Sequence, residues 1–313
     1  MFNIISKRKI WFILSATIIG IGIVSLVMYG LRLGIDFRGG TLMEIEFKAI
    51  SRPSIEKVEE KLAPLDLGEI NIQPTGENGM FLRMKTIDEL AHQEILEILR
   101  DNFAAIPPQE AKDLSISEVI EEKQFQSIGP VIGGELKRKA IYALIVSLFG
   151  IVFYIAWAFR KISREISSWK LGIAAILALL HDVLIIIGIF SLLGHFKGIE
   201  INMFFVTALL TTLGYSVNDT IVVFDRVREN LHLYGGEDLE DTVNRSVNQT
   251  ISRSLTTSLT TLFVLISLFL FGGESIRYFA LALILGVIVG TYSSIFIASP
   301  LLVVFSRLVR RKT

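Results

Sequence analysis

Long apolar runs lay out the chain, and clusters of charge separate them. Six runs, at residues 10–28, 140–159, 171–193, 201–224, 254–271 and 278–305, approach the ~20 residues that a helix rising 1.5 Å per residue needs to cross a ~30 Å hydrocarbon core. The pattern changes in the long interval between the first two. Residues 41–47 alternate there, with Met43, Ile45 and Phe47 on one face and Leu42, Glu44 and Glu46 on the other, as a half-buried strand requires. The spacing of Ile55, Val58 and Leu62 predicts a helix over 54–62, followed by strands at 69–73 and 80–85 around the turn residues Gly76, Asn78 and Gly79. Thr86 and Glu89 read as a capping box, which opens a helix through Leu90, Ile95, Ile98 and Leu99 to Phe103. Pro107 and Pro108 mark a break, and 116–125 reads as a last strand. The order βαββαβ predicts a ferredoxin-like α+β domain. The expected fold is an α-helical polytopic membrane protein of six transmembrane helices, with this domain inserted between helices one and two. Its parts are 1–30 with the first helix, 31–136 as the inserted domain, and 137–313 with the other five helices.

Composition sharpens this picture. The 313 residues are 51% hydrophobic and 20% charged, and the mean hydropathy of +0.56 excludes a disordered chain, a collagen-like fibre and a single soluble enzyme domain. Lys7, Arg8 and Lys9 precede the first run, and Arg160, Lys161, Arg164 and Lys170 lie between the second and third. Arg226 and Arg228 follow the fourth, and Arg307, Arg310, Arg311 and Lys312 follow the sixth. All fall on one side of a six-span protein, so both termini are expected in the cytoplasm. The interval 31–136, with a net charge of −9, then faces outward. A signal peptide is a rival for the first run, but the run is longer than a usual apolar core and no small-residue cleavage site follows, so an uncleaved anchor is expected. Without cysteine there is no disulfide or thiol chemistry. With no nucleophile triad, phosphate loop or metal-ligand cluster in the pattern, neither enzymatic activity nor a bound cofactor is expected.

A charged side chain near the bilayer centre costs roughly 2.5–3.5 kcal/mol on insertion scales, so each one needs a reason. The fourth run holds Asn218 and Asp219, the third holds His181 and Asp182, and Arg253 opens the fifth. Thr212, Tyr215, Ser216 and Asp219 form one polar stripe; Thr250, Arg253, Thr257, Thr260 and Thr261 form another. Such stripes are expected to face each other or water. Two readings stay open. Asp219 and Arg253 form a structural ion pair, or Asp219 is a protonatable group on a proton path whose charge the arginine tunes. His181 and Asp182 are either polar packing or a secondary site. His195 and Asp225 sit near run ends, where interfacial solvation accounts for them. Gly286, Gly290, Ser294 and Ala298 make a small-residue ridge for close helix approach. Gly133-Gly134-Glu135 and Gly272-Gly273-Glu274 echo each other across 139 residues. Residues 237–252 have Leu239, Val243 and Val247 on one side and are expected to form a cytoplasmic interfacial helix.

These residues carry a family resemblance. Gly34-Ile-Asp-Phe-Arg-Gly-Gly-Thr41 resembles the outward signature of the SecD/SecF export proteins. Phe125-Gln-Ser-Ile-Gly-Pro130, Gly214-Tyr-Ser-Val-Asn-Asp-Thr220, Phe224-Asp-Arg-Val-Arg-Glu-Asn230, Asn248-Gln-Thr-Ile-Ser-Arg-Ser254 and Gly290-Thr-Tyr-Ser-Ser-Ile-Phe-Ile-Ala-Ser-Pro300 resemble its SecF branch, in order along nearly the whole chain. The resemblance implies a half-transporter of the resistance-nodulation-division superfamily, paired with SecD. Such a pair uses proton flow to assist the SecYEG translocon and SecA in moving preprotein, with YajC and YidC as further partners and no nucleic acid. It also implies that Asp219 and Arg253 carry the proton path, with protons as the coupling ion. Asp182, Asn218, Ser216 and Thr257 are secondary candidates. Asp36, Arg38, Gly39 and Gly40 stand at the base of the outward domain, where the glycines are a hinge or a tight turn and a local salt bridge between Asp36 and Arg38 is the alternative. The rival functions are an antiporter of small amphiphiles and a non-transporting assembly factor.

Overall fold

A computed structural model describes residues 2–48, 51–104, 115–159, 168–234 and 238–310. Pro107, Pro108, Arg160, Lys161, Arg164, Arg311 and Lys312 lie outside the described residues. The chain divides into two compact units, 1–32 with 140–313, and 33–139.

Among the described residues, six helices are long and apolar enough to cross a membrane; five lie in the first unit, and the one that opens at Pro130 belongs to it from Ala140 on. They are Arg8–Tyr29, Pro130–Ala158, Ser168–Lys197, Met203–Leu233, Leu239–Phe271 and a composite sixth of Glu274–Ser293, Ser294–Ala298 and Ser299–Arg310. Each begins or ends beyond its apolar run, because helical hydrogen bonding continues past the hydrophobic boundary. The stretch after residue 237 is a correction to the expected interfacial helix. From Leu239 it is the first half of the fifth span itself, with Val243 and Val247 fully buried in the unit's core. Residue 237 lies outside the described residues.

Small residues bring the helices together. A Cβ on Gly188 would lie 2.5 Å from Gly22 Cα, so the first and third spans touch backbone to backbone. A Cβ on Gly286 would lie 2.1 Å from Thr212 Oγ1, and one on Gly290 would lie 2.8 Å from Ser216 Cβ. The small-residue ridge thus packs the sixth span on the polar stripe of the fourth. Within the sixth span, Ser294–Ala298 winds as a π-helix. Pro300 follows and has no amide to continue the ordinary ladder, while Ser299 Oγ donates to Ser294 O at 2.7 Å. The insertion turns Ser293 and Ser294 together into the interior, both fully buried.

The second unit is a four-stranded antiparallel sheet carrying two longer helices, Ile55–Leu62 and Glu89–Phe103. Its strands are β1 (Gly40–Phe47), β2 (Asn71–Thr75), β3 (Gly79–Met84) and β4 (Ile120–Ile128), in spatial order β2-β3-β1-β4. Met43 pairs with Leu82 and Ile45 with Met80. These side chains form one core with Phe47, Val58, Leu62, Ile95, Leu99 and Phe103, each such burial stabilising by about 1.5–3 kcal/mol before entropy is counted. Two local expectations change. The longer helix is capped by Asp88, whose carboxylate accepts from Ala91 N at 2.9 Å; Thr86 instead donates to Ile128 O of β4. The expected strand from 116 opens as a short helix, Ile116–Val119, because Ser115 and Glu118 form a true capping box.

Candidate functional site

At the foot of β1, Gly39 (φ 78°) and Gly40 (φ 125°) occupy conformations closed to other residues. A Cβ on Gly39 would lie 2.7 Å from Pro130 Cα, and one on Gly40 would lie 2.8 Å from Met84 O. The arrangement is a tight, clamped turn. Asp36 is buried and its Oδ1 accepts from Gln126 Nε2 at 3.0 Å. Arg38 is exposed. The sheet unit there is held to its own β4.

Among the described residues, two carboxyl groups are buried in the helical bundle, in different ways. Asp182, on the third span, is fully buried. Ser216 of the fourth span donates to its Oδ2 at 2.5 Å, Ser293 of the sixth donates to the same oxygen at 2.8 Å, and His181 Nδ1 lies 2.8 Å from Oδ1. His181 Nε2 continues to Ser15 Oγ of the first span at 3.0 Å, which is 3.0 Å from Tyr292 Oη. The Tyr292 hydroxyl reaches Trp11 O at 3.3 Å. The network thus joins the first, third, fourth and sixth spans.

Asp219 lies one turn along the fourth span from Ser216 and is 4% exposed. Ser254 and Thr291 stand beside its carboxyl, yet Asp219 Oδ2 and Ser254 Oγ both lack a hydrogen-bond partner among the described residues. Thr291 is engaged with Ser258 at 2.5 Å, and Tyr215 donates to Ser258 at 3.2 Å. A buried carboxyl oxygen left without a partner is rare enough to need a cause.

The expected polar stripes are therefore only partly brought together. Thr212, Ser216 and Asp219 are buried, and Tyr215 half-buried, while Asn218 points outward and is exposed. On the fifth span Thr250 is buried, but Arg253, Thr257 and Thr260 are exposed, and Thr257 Oγ1 donates to Arg253 O. No ion pair within 4 Å joins Asp219 to Arg253 among the described residues, although Arg253 is near enough to act on that carboxyl electrostatically. The inward stripe of the fifth span is Ser246, Thr250, Ser254 and Ser258, at four-residue steps. That spacing was visible beside the threonine stripe. Asn230 Nδ2 donates to Ser246 Oγ at 2.8 Å. Asn244 and Asn248 also bind residues 2–5: Asn244 Oδ1 accepts from Ile4 N at 3.0 Å, and Asn248 Oδ1 from Phe2 N at 2.7 Å. Ser15, Tyr292 and Ser293 were missed, because a lone hydroxyl in an apolar run carries no periodic signal.

The fold and the site define a multi-pass membrane protein whose bundle interior holds ionisable groups. The comparisons with known proteins name its kind. The family model described as "Protein export membrane protein SecD/SecF, C-terminal" matches residues 109–308, and that of the SecD/SecF GG motif matches 24–49. The protein translocase subunit SecF of Thermobaculum terrenum is 42% identical over 97% of this chain and 93% of its own length. That of Anaerolinea thermophila is 36% identical over 97% and 94%. The crystal structure of SecDF, a translocon-associated membrane protein from Thermus thermophilus, overlays with a TM-score of 0.79 at 33% identity, covering 98% of this chain and 39% of that one. A SecDF structure in a super-membrane-facing form overlays with a TM-score of 0.65. The chain belongs to the SecD/SecF protein-export family, in its SecF branch. It is a subunit of the protein-translocation machinery.

Proposed function

We propose that the chain pairs with a separate SecD and that the pair uses the proton gradient to draw preprotein outward through the SecYEG translocon, with SecA acting from the cytoplasm. The unpartnered, buried Oδ2 of Asp219 carries this reading. An ionised carboxyl there is poorly stabilised, so taking up a proton removes a cost, and giving it up requires the surroundings to move. Arg253 is one residue from Ser254, which stands beside that carboxyl. A motion that turns the arginine inward favours the ionised form, and its withdrawal favours the protonated one. Ser254 and Thr291 are the neighbours that would re-form hydrogen bonds as the charge changes. Thr257, Asn218 and Ser216 line the same two helices.

The sheet unit is read as a ferredoxin-like domain on the outer face of the bacterial cytoplasmic membrane, with both chain termini inside. Its element order and its strand order support that reading, and so does the net charge of −9 over 31–136. Motion reaches it through the segment of Asp36, Arg38, Gly39 and Gly40, whose clamped turn moves as one piece with the sheet. The SecDF of Thermus thermophilus is a translocon-associated membrane protein, which supports a place beside SecYEG; YajC and YidC are proposed as further members.

The test is proton-gradient-dependent export in vesicles holding the complete complex. Asp219→Asn and Arg253→Met are each expected to reduce it to background while the complex still assembles. Normal export by both variants removes the proton role of this site. Loss of assembly in both transfers the two residues to an architectural role.

A further inference from the structure

His181 and Asp182 are the buried titratable pair that the proposed mechanism leaves unused, and their hydrogen bonds can be followed to the last proton. Without an added proton, Asp182 accepts from His181 Nδ1–H on one oxygen and from the Ser216 and Ser293 hydroxyls on the other. His181 Nε2 then has only a lone pair, so Ser15 donates to it and Tyr292 donates to Ser15. With one proton added at Nε2, that nitrogen donates to Ser15, Ser15 donates to Tyr292, and Tyr292 donates to Trp11 O at 3.3 Å. The two states differ by one proton and by the rotation of two hydroxyls. No heavy atom needs to move, and each hydrogen finds an acceptor in both states. Ser293 has a similar choice, because its hydroxyl lies 2.8 Å from Asp182 Oδ2 and 3.1 Å from Gly290 O. A buried polar cluster fixed for architecture needs only one such arrangement; this one has two.

The two states differ in charge: the unprotonated pair carries one net negative charge in a fully buried position, and the imidazolium–carboxylate pair carries none. The titratable groups facing the pair from the packed helices are few. Tyr292 comes from the sixth span, and Asp219 lies one turn from Ser216 on the fourth; the first span contributes Ser15, and Ser294 and Ser299 add only hydroxyls. Tyr292 and Ser293, which serve this pair, flank Thr291, which stands beside Asp219. The fourth and sixth spans therefore hold partners of both carboxyl groups.

We propose that His181 and Asp182 form a second, one-proton site in the bundle, filled at the imidazole and signalled by reversal of the Ser15–Tyr292–Trp11 hydroxyl chain. It rests on the proton-coupled reading of Asp219 and supplies that site with a neighbour that holds a proton while Asp219 changes surroundings.

The experiment is pH-difference infrared spectroscopy of the full chain in its complex, with histidine rings isotopically labelled, read beside proton-dependent export. One imidazole signal is expected to titrate, to vanish in His181→Gln, to be displaced or lost in Asp182→Asn, and to persist in Asp219→Asn. Tyr292→Phe keeps the ring and removes the last hydroxyl of the chain, so it should shift the same signal even if Asp182→Asn does not assemble. A spectrum unchanged in His181→Gln, or an unshifted signal in Tyr292→Phe, overturns the proposal. Export separates the two readings. Loss of export in Asp219→Asn with no titrating His181 sinks this site alone; a titrating His181 with normal export in Asp219→Asn sinks the earlier one.

Discussion

Asp182 and Asp219 are both carboxylates buried in the same helical bundle, and they differ in every contact. Asp182 has three partners drawn from its own span and from the fourth and sixth spans. Asp219 has an oxygen with none, although Ser254 and Thr291 stand beside it. A satisfied group stabilises the arrangement that satisfies it, and an orphaned one stabilises whatever arrangement would complete it. The first therefore ties three helices together, and the second leaves an oxygen that Ser254 of the fifth span stands beside without bonding.

Replacement by an apolar residue puts this contrast to its hardest test. Asp182→Leu strands two hydroxyls and an imidazole, and is expected to lower the unfolding free energy of the full chain in detergent by about 3–5 kcal/mol. Asp219→Leu strands nothing that is now satisfied, and should cost less than about 1 kcal/mol or be neutral. Equal losses in denaturant titrations would erase the distinction. The shared helix contact comes next. Gly286→Val drives a side chain into Thr212, at an expected cost of about 1–3 kcal/mol, and Thr212→Ala in the same chain should recover part of it, as a double-mutant cycle would read. A smaller effect concerns Asn244, which like Asp182 is satisfied by partners from afar in sequence. Asn244→Ala frees the amides of Ile4 and Ile5 and should cost about 1 kcal/mol, seen as faster proteolysis of residues 2–7.

The smallest effect lies outside the membrane and supplies a control. The Glu89 carboxyl is held below its ordinary value chiefly by the Gln93 side chain and then by His92. Its contribution is present at neutral pH and fades as pH falls through the carboxylate range. Glu89→Gln is expected to flatten the acid side of the stability–pH curve slightly and to leave proton-driven export unchanged. A change in export would tie the sheet unit's charge to the bundle and weaken the contrast between the two aspartates.

Helix count, the inserted α+β unit, the Met43–Ile45–Phe47 core face and the burial of Asp219 were all legible in the order of residues. Each depends on periodicity or on local chemistry: a run of apolar residues has one way to avoid water, and an alternating one has one face to bury. Gly286 and Gly290 were legible for the same reason, since four-residue spacing places them on one side of a helix. The cap at Asp88 was not, because Thr86 had a competing acceptor, Ile128 O, that is distant in sequence. Residues 116–119 were read as the start of a strand because β-branched residues follow them, and a capping box from Ser115 to Glu118 prevailed over that propensity.

Which polar groups meet inside the bundle was decided only by tertiary structure. Arg253 and Asp219 sit on two stripes expected to face each other, but a helix presents a residue to its neighbour by rotation and by the closeness that Gly22, Gly188, Gly286 and Gly290 permit. A π turn imposed near Pro300 then brought Ser293 round to Asp182. Sequence determines which side chains cannot bear lipid alone; packing determines which of them find one another, because hydrogen bonds depend on tenths of an ångström that no spacing rule conveys.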